Sequence, residues 1–167
     1  ALPGLEEMGW TEPDYEADLA AAKEASWTLY DAALTLADAE DVWKDARRDY
    51  YGSYYRYQYD MAEHTWNAAQ TTYDAAVQDF ETSFQSLYDS LADYEQVLEN
   101  KQAGVTYQQT LLDTAYTRYE RGLISSSAVK TAEDDLAAAQ SEAESAERDL
   151  FATRNSYRLA VTYGILA

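Results

Sequence analysis

The feature that most constrains this chain is a long series of apolar residues spaced alternately three and four positions apart. No proline follows Pro13, so no proline interrupts a helix in the remaining sequence. This spacing puts the apolar residues on one side of an α-helix and is the heptad period of coiled coils. It predicts an all-α fold. The most regular series consists of Val129, Ala132, Leu136, Ala139, Ala143, Ala146, Leu150, Thr153, Tyr157, Ala160 and Gly164.

Two further series of the same period precede it, and together the three series predict three long helices. Their expected bounds are about residues 12–51, 54–120 and 126–163. Gly104 lies within the second series and costs a helix roughly 1 kcal/mol relative to alanine. Because the spacing stays in phase across Gly104, we predict that the second helix continues there. A break at this glycine, which would permit a folded-back compact bundle, is the alternative.

The members of these series are the expected core residues. In the first helix they include Ala25, and Asp18 is the only polar member. In the second helix they include Tyr94 and Tyr119. The many alanines of the third helix allow close approach of a bulkier second helix, because small residues facing large ones fill a helical interface.

Glycine, serine and threonine mark the expected helix ends. Thr11 is the expected N-cap of the first helix, with Pro13 in its first turn. Gly52 and Gly122 follow the first and second helices, where glycine reaches the left-handed conformation at low cost. One of the serines at 125–126 is the expected N-cap of the third helix.

These short turns force neighbouring helices to run antiparallel. We therefore predict a single helical domain, residues 1–167, in which one long central helix is flanked by two shorter ones in an antiparallel coiled-coil arrangement.

The charge of the chain excludes several classes of partner. Thirty-one acidic residues stand against 12 basic ones, for a net charge of −19. A chain of this charge is not expected to bind nucleic acid or an anionic membrane surface, since either needs a basic patch. The longest apolar runs are too short to span a bilayer as a helix. The first residues lack the basic and then apolar order of a signal peptide, so none is expected in this sequence.

No set of residues predicts catalysis or metal binding. His64 is the only histidine and there is no cysteine, so no usual nucleophile–base pair is available. Asp38, Asp41, Asp45 and Asp49 share one helix face and could form a weak stripe for divalent cations. Calcium, however, normally takes six to eight oxygens from a loop that wraps around it. We predict a solvated acidic face, no cofactor, no metal site and no enzymatic activity.

A cluster of tyrosines surrounds the first predicted turn. Sixteen tyrosines occur in the chain, and six of them lie between positions 50 and 59. Consecutive tyrosines point in different directions around a helix, so some must be exposed or buried by another subunit. We hypothesise that Tyr51, Tyr54 and Tyr55 mediate self-association.

The second predicted turn carries a family resemblance. Residues 119–125 read Tyr-Glu-Arg-Gly-Leu-Ile-Ser and are followed by the alanine-rich third helix, which ends near Gly164. This arrangement resembles the outer-membrane efflux proteins of the TolC family, in which a long helix ends in a similar turn and an alanine-rich helix returns. The resemblance covers about residues 94–164, and the turn is its most specific part.

The resemblance implies a place in the cell envelope or outside the cell, in the periplasm or at the cell surface. Members of the family form trimeric conduits, so it also implies a homo-oligomer. Their hairpin turns dock onto a periplasmic adaptor, also called a membrane-fusion protein. Carried over by position, the residues that would make this contact are Arg121, Gly122, Leu123, Ile124 and Ser125. The same residues also fit an ordinary hairpin end, in which the glycine caps one helix and the serine begins the next.

The chain departs from the family in two ways. Family members have β-barrel strands between the first helix and the long one, and a full protomer has two repeats. Here a tyrosine-rich junction around Gly52 stands in place of the strands and is too short to cross a membrane, since each spanning strand needs about 9–11 residues. The resemblance therefore concerns the helical hairpin portion only, and this chain is not expected to form an outer-membrane pore.

Two functions follow as hypotheses. The first is a non-enzymatic helical module of an efflux or export assembly that acts as conduit or scaffold. The second is a structural coiled-coil spacer, or protein-interaction module, with no transport role. The two differ at the turn: the first needs Leu123 and Ile124 to bind a partner, whereas the second tolerates serine at both.

Overall fold

The computed structural model describes Trp10 and residues 12–166. Its regular structure is helical, and no β-strand occurs among the described residues. The all-α prediction is therefore confirmed. The helices are α1 (Tyr15–Ala25), α2 (Trp27–Tyr50), α3 (Arg56–Glu120) and α4 (Ser126–Tyr163).

The first helix begins later than predicted. Asp14 is its N-cap: the Oδ1 atom accepts a hydrogen bond of 3.2 Å from the backbone N–H of Ala17. The backbone N–H of Asp14 in turn donates to Asp18 Oδ2 over 3.0 Å. The predicted cap, Thr11, lies outside the described residues. Pro13 precedes the helix and is not in its first turn.

The prediction of one continuous helix over residues 12–51 is wrong, because Ser26 separates α1 from α2. Its backbone is extended (φ −74°, ψ 112°), and its Oγ accepts a hydrogen bond of 3.4 Å from the N–H of Leu29, which caps α2. Ser26 is buried, whereas the predicted core residue Ala25 is exposed. At this point of the series the buried residue is therefore Ser26, and the prediction that Ala25 lies in the core is wrong.

The two later helices follow the sequence pattern closely. α3 runs without interruption through Gly104, as the in-phase spacing predicts. α4 has the predicted bounds. The alternative of a helix broken at Gly104 is therefore wrong.

The described chain divides into two compact units. The first unit comprises Trp10, Glu12 and Leu87–Ser156. The second unit comprises Pro13–Ser86 and residues 157–166. Both α3 and α4 contribute residues to each unit.

The first unit is held by apolar contacts between α3 and α4. Leu112, Val129 and Leu136 form a buried cluster, and Val105, Ile124 and Ala132 pack against it. Lys101 Nζ lies 2.8 Å from Glu142 Oε2 and links the two helices. Tyr94 and Tyr119, predicted in the core, are 37% and 47% exposed. The prediction that these two tyrosines lie in the core is therefore wrong.

The second unit has an aromatic core. Phe84 is fully buried, with its ring centroid 5.9 Å from that of Tyr15 and 5.4 Å from that of Tyr157. The hydroxyl of Tyr157 donates a hydrogen bond of 2.8 Å to Asp18 Oδ2. This bond explains how Asp18, the one polar member of the first series, is accommodated beside apolar neighbours.

Candidate functional site

The turn between α3 and α4 is built by the backbone of Gly122. This residue has φ 71°, and its N–H donates to the carbonyl oxygen of Tyr119 over 2.8 Å. The N–H of Leu123 donates to the carbonyl oxygen of Arg118 over 2.9 Å. These two bonds are the Schellman motif, which satisfies the last carbonyls of a helix and ends it sharply. The predicted role of Gly122 as a C-terminal cap is confirmed.

Ser125 begins the return helix. Its Oγ accepts a hydrogen bond of 3.3 Å from the N–H of Ala128, and α4 starts at Ser126. Of the two serines considered as N-cap, the structure selects Ser125. A glycine C-cap and a serine N-cap so close together make the turn short and fix its backbone at both ends.

The two apolar residues of the turn have different environments. Ile124 is partly buried and packs against the cluster of Leu112, Val129 and Leu136. Leu123 is 68% exposed. Ile124 therefore holds the turn onto its own hairpin, while Leu123 presents an apolar side chain to solvent.

Polar contacts flank the turn. The Tyr116 hydroxyl donates a hydrogen bond of 2.6 Å to Glu133 Oε1, and this bond raises the pKa of Tyr116. Lys130 Nζ lies 2.8 Å from Asp134 Oδ1, and the hydrogen bond to Asp134 raises the pKa of Lys130. Arg121, at the turn itself, is exposed.

Hydrogen bonds of Ser53 organise the turn between α2 and α3. The prediction that Gly52 adopts the left-handed conformation there is wrong. Gly122 and Gly164 are the positive-φ glycines among the described residues, and Gly52 is not one of them. Instead, the N–H and Oγ of Ser53 donate to the carbonyl oxygen of Tyr50 over 3.0 and 3.1 Å. The Ser53 Oγ also accepts from the N–H of Tyr55 over 3.1 Å.

The tyrosines that we predicted to mediate self-association are exposed around this turn. Tyr54 is 95% exposed, and Tyr51 and Tyr55 are more than half exposed. The rings of Tyr54 and Tyr55 meet edge to face with centroids 5.5 Å apart. Tyr59, by contrast, is buried, and its hydroxyl donates a hydrogen bond of 2.5 Å to Glu63.

The remaining candidate residues lie on the helix surface. His64 is exposed. Within the aspartate stripe, Asp41 pairs with Lys44 over 3.4 Å, and Asp45 and Asp49 each lie 2.9 Å from a nitrogen of Arg48. The hydrogen bond from Arg48 lowers the pKa of Asp49. In the part of the chain that the structure describes, no three histidine, aspartate or glutamate side chains are grouped to hold a metal ion.

A second apolar stripe on α2 escaped the sequence analysis. Trp27, Tyr30 and Leu34 are 72%, 58% and 49% exposed, and the first two rings lie 5.4 Å apart. Their three-and-four spacing was visible in the sequence. It was overlooked because the core series on the same helix already accounted for the helical period.

The contacts of Arg154 were also overlooked. Its Cζ lies 5.0 Å from the centroid of the Trp10 ring, and its Nη2 lies 2.5 Å from Glu95 Oε1. The side chain is only 12% exposed. No local signal predicts this, because Trp10 and Glu95 are both far from Arg154 in sequence.

None of the described helices is long and apolar enough to cross a membrane. A comparison of the chain with protein-family models, curated proteins and solved structures found no match.

Proposed function

We propose that this chain is a non-enzymatic, TolC-like helical module of an efflux or export assembly in the cell envelope, acting as conduit or scaffold. The observation that carries the proposal is the α3–α4 turn, which we call the apex. Gly122 caps the helix before it and Ser125 caps the helix after it. Leu123 is exposed at the apex, while Ile124 packs against the buried cluster of the hairpin. A partner protein would contact this apex through Leu123 and the neighbouring Arg121. The partner expected from the resemblance is an adaptor protein.

An antiparallel coiled coil is the proposed arrangement of α3 and α4 within the first unit. Cross-helix pairs support it: Lys101 contacts Glu142, whereas Tyr116, further along α3, contacts Glu133, earlier in α4. Taken together, the buried and partly buried residues of α4 in this unit include a series at three-and-four spacing, which is the pattern of such a seam: Val129, Ala132, Leu136, Ala139, Ala143, Ala146 and Leu150.

Assembly of several copies is part of the proposal. The stripe of Trp27, Tyr30 and Leu34 supplies an apolar helix face within the second unit. Contiguous apolar residues of this size on a surface favour burial against another protein surface. A conduit made of several chains would bury such faces between neighbouring copies.

A transport assay in the organism of origin tests the apex, with ethidium as the efflux probe. Deleting the gene is expected to increase ethidium retention, and the wild-type chain is expected to restore efflux. Leu123→Ser should fail to restore it while changing the free energy of unfolding by less than about 0.5 kcal/mol, as expected for an exposed site. Leu111→Ser is the control and should restore efflux, because Leu111 is an exposed leucine of α3 (40% exposed) that lies away from the turn.

Ile124→Ser separates the anchoring role from the docking role. It should lower the free energy of unfolding by about 1–2 kcal/mol, because a partly buried side chain leaves the apolar cluster. If the deletion leaves ethidium retention unchanged, or Leu123→Ser restores efflux fully, the chain has no apex-dependent transport role. The structural spacer is then the better description.

A further inference from the structure

The apolar series of α3 is interrupted in one place. Val105 and Leu112 keep its period, but Lys101 and Gln108 are polar members of the series, and Gly104 lies between them. A glycine inside a helix and polar side chains in an apolar seam each reduce the stability of the fold. Departures from the pattern that favours folding are concentrated at functional sites. This stretch of α3 is therefore a candidate binding site.

The interruption coincides with a groove between α3 and α4 that lies within the first unit. Its volume is about 410 Å³, which is in the range of small-molecule sites. Gly104 lines the groove from α3, and Ala138 and Ala139 line it from α4. A Cβ placed on Gly104 would meet nothing within 4 Å, so packing within the chain does not require the glycine. Its missing side chain instead enlarges the groove.

The polar side chains of the groove differ in whether they have partners. Lys101 and Glu142 line it and are paired with each other over 2.8 Å. The Gln108 side chain is half-buried, and that of Asp135 is exposed. Among the described residues, neither of these two side chains has a hydrogen-bond or ion-pair partner. Gln108 can therefore donate and accept hydrogen bonds with a ligand, and Asp135 can accept them.

Tyr107 adds an aromatic surface to the groove. It lines the groove and is 61% exposed. The face of an aromatic ring is the negative part of its quadrupole, so it attracts weakly polarised C–H groups. A ligand with C–H groups on one face and hydrogen-bonding groups around its edge can contact Tyr107, Gln108 and Asp135 together.

The charges of the groove select against ionic and apolar ligands. Lys101 is its one basic residue, against the carboxylates of Asp135 and Glu142. A phosphate or sulfate group needs an excess of basic side chains. A metal ion needs several ligands, and no three acidic or histidine side chains are grouped to hold one in the part of the chain that the structure describes. An apolar ligand would desolvate the amide of Gln108 without giving it a hydrogen bond.

We propose that this groove binds a segment of a neutral carbohydrate chain. Sugar hydroxyls both donate and accept hydrogen bonds, so they match the free amide of Gln108 and the free carboxylate of Asp135. The C–H face of a sugar ring packs on the ring of Tyr107, and the absent side chain at Gly104 leaves room beside it. The groove is open to solvent, so a longer chain can continue beyond it.

Saturation-transfer difference NMR on the full chain tests the ligand class, and calorimetry measures the affinity. The neutral probes are cellohexaose, maltohexaose and chitohexaose, and the wild type should bind at least one of them. The charged probes are spermidine and a heparin hexasaccharide, and each should bind at least tenfold more weakly. The proposal is overturned if none of the three neutral probes binds, or if a charged probe binds as tightly as they do.

Three substitutions test the position of the site. Tyr107→Ala should weaken sugar binding about three- to tenfold, because the stacking contact is lost. Gln108→Leu should weaken it by a similar factor and raise the melting temperature, because it removes a hydrogen bond to the ligand but restores the apolar series. Gly104→Leu should abolish binding, since the leucine fills the groove, while its better helix propensity keeps α3 folded.

Tyr57→Ala and Gln102→Leu are the matched controls. Tyr57 is also 61% exposed but lies in the second unit, and Gln102 is an exposed glutamine of α3 that does not line the groove. Both should bind sugar like the wild type, and circular dichroism should show that every variant is folded. Unchanged binding by Gln108→Leu and Gly104→Leu would show that the sugar does not occupy this groove.

This inference does not rest on the proposed transport role. Sugar binding reports on the groove beside Gly104, and ethidium efflux reports on Leu123, so either result can fail without the other.

Discussion

At the scale of single residues, Gly164 has the most restricted surroundings of the described glycines. It follows α4 with φ 63°, and its N–H donates to the carbonyl oxygen of Ala160 over 2.8 Å. A Cβ at this position would overlap the Cα and nitrogen of Ser26 and lie 2.8 Å from the carbonyl oxygen of Ala22. The break between α1 and α2 and the end of α4 therefore pack backbone to backbone.

Gly164→Ala should destabilise the protein by more than the roughly 1–2 kcal/mol that left-handed strain costs an L-residue. The excess arises because backbone atoms of Ser26 cannot rotate away as a flexible side chain would. Gly122→Ala is the matched control, since Gly122 is also left-handed but has nothing within 4 Å of its Cβ position. Urea denaturation measures both, and equal losses would contradict the proposed backbone contact.

At the scale of helices, α3 contains a glycine that the fold does not require. Gly104 is helical, and a Cβ placed there would meet nothing within 4 Å. Its neighbourhood on α3 and α4 is an open groove lined by Lys101, Tyr107, Ala138 and other residues. The helix therefore continues through Gly104 despite the local preference, because the apolar contacts on either side keep it in phase.

Gly104→Ala should stabilise the protein by about 1 kcal/mol, the difference in helix propensity between the two residues. Thermal and urea unfolding measure the change. A loss of stability would instead mean that Gly104 permits a close contact with a neighbouring copy or partner.

The contact of Lys101 with Glu142 makes the pairing of α3 and α4 sensitive to pH. The hydrogen bond and charge of Lys101 hold the pKa of Glu142 below its usual value of 4.5. A carboxylate whose pKa is lowered by folding contributes stability above its unfolded pKa and loses it as the pH falls through the folded one. The contribution is therefore present at neutral pH and is lost at acidic pH, as the pH falls from 4.5 through the lowered pKa of Glu142.

Glu142→Gln should lower the melting temperature slightly at about pH 7, and its effect should become smaller at acidic pH, as the wild-type carboxylate takes up its proton. Glu144→Gln is the control, because Glu144 lies 3.9 Å from Arg148 on the same helix and links no second element. Equal effects of Glu142→Gln at neutral and acidic pH would show that the ion pair is not their cause.

At the scale of the whole molecule, we expect repulsion among acidic residues to outweigh the attraction within the surface ion pairs. The chain has a net charge of −19, and like charges held in a folded chain destabilise it. The ion pairs on the helix surfaces oppose this only weakly, since each exposed pair contributes about 0.2–1 kcal/mol. Repulsion acts over longer distances and is screened by salt.

Raising the ionic strength from about 0.01 M to about 0.15 M should therefore increase the melting temperature, because the Debye length falls from about 30 to about 8 Å. Each kcal/mol of relieved repulsion corresponds to about 2–4 °C for a chain of this size. Calorimetry in sodium chloride measures the shift. A fall in melting temperature would mean that the ion pairs outweigh the net charge.

The sequence by itself determined the helical class, the bounds of α4, the continuity of α3 and the cap at Gly122, whereas the choice of Ser125 over Ser126 as the N-cap of α4 came from the structure. The helical class and the cap at Gly122 depend on interactions within about one or two helical turns. The continuity of α3 follows from an apolar spacing that stays in phase across Gly104 and so outweighs the local preference of the glycine. Tertiary structure decided the break at Ser26, where burial against the end of α4 overrides a run of helix-forming residues.

Tertiary structure also decided that Ile124 is anchored and Leu123 exposed, because the difference depends on the cluster formed by α3 and α4. The same holds for Asp18, whose hydrogen-bond partner Tyr157 lies 139 positions away. Contacts of such range arise only when the helices pack, because each depends on the position and orientation of another helix. A local pattern carries no information about either.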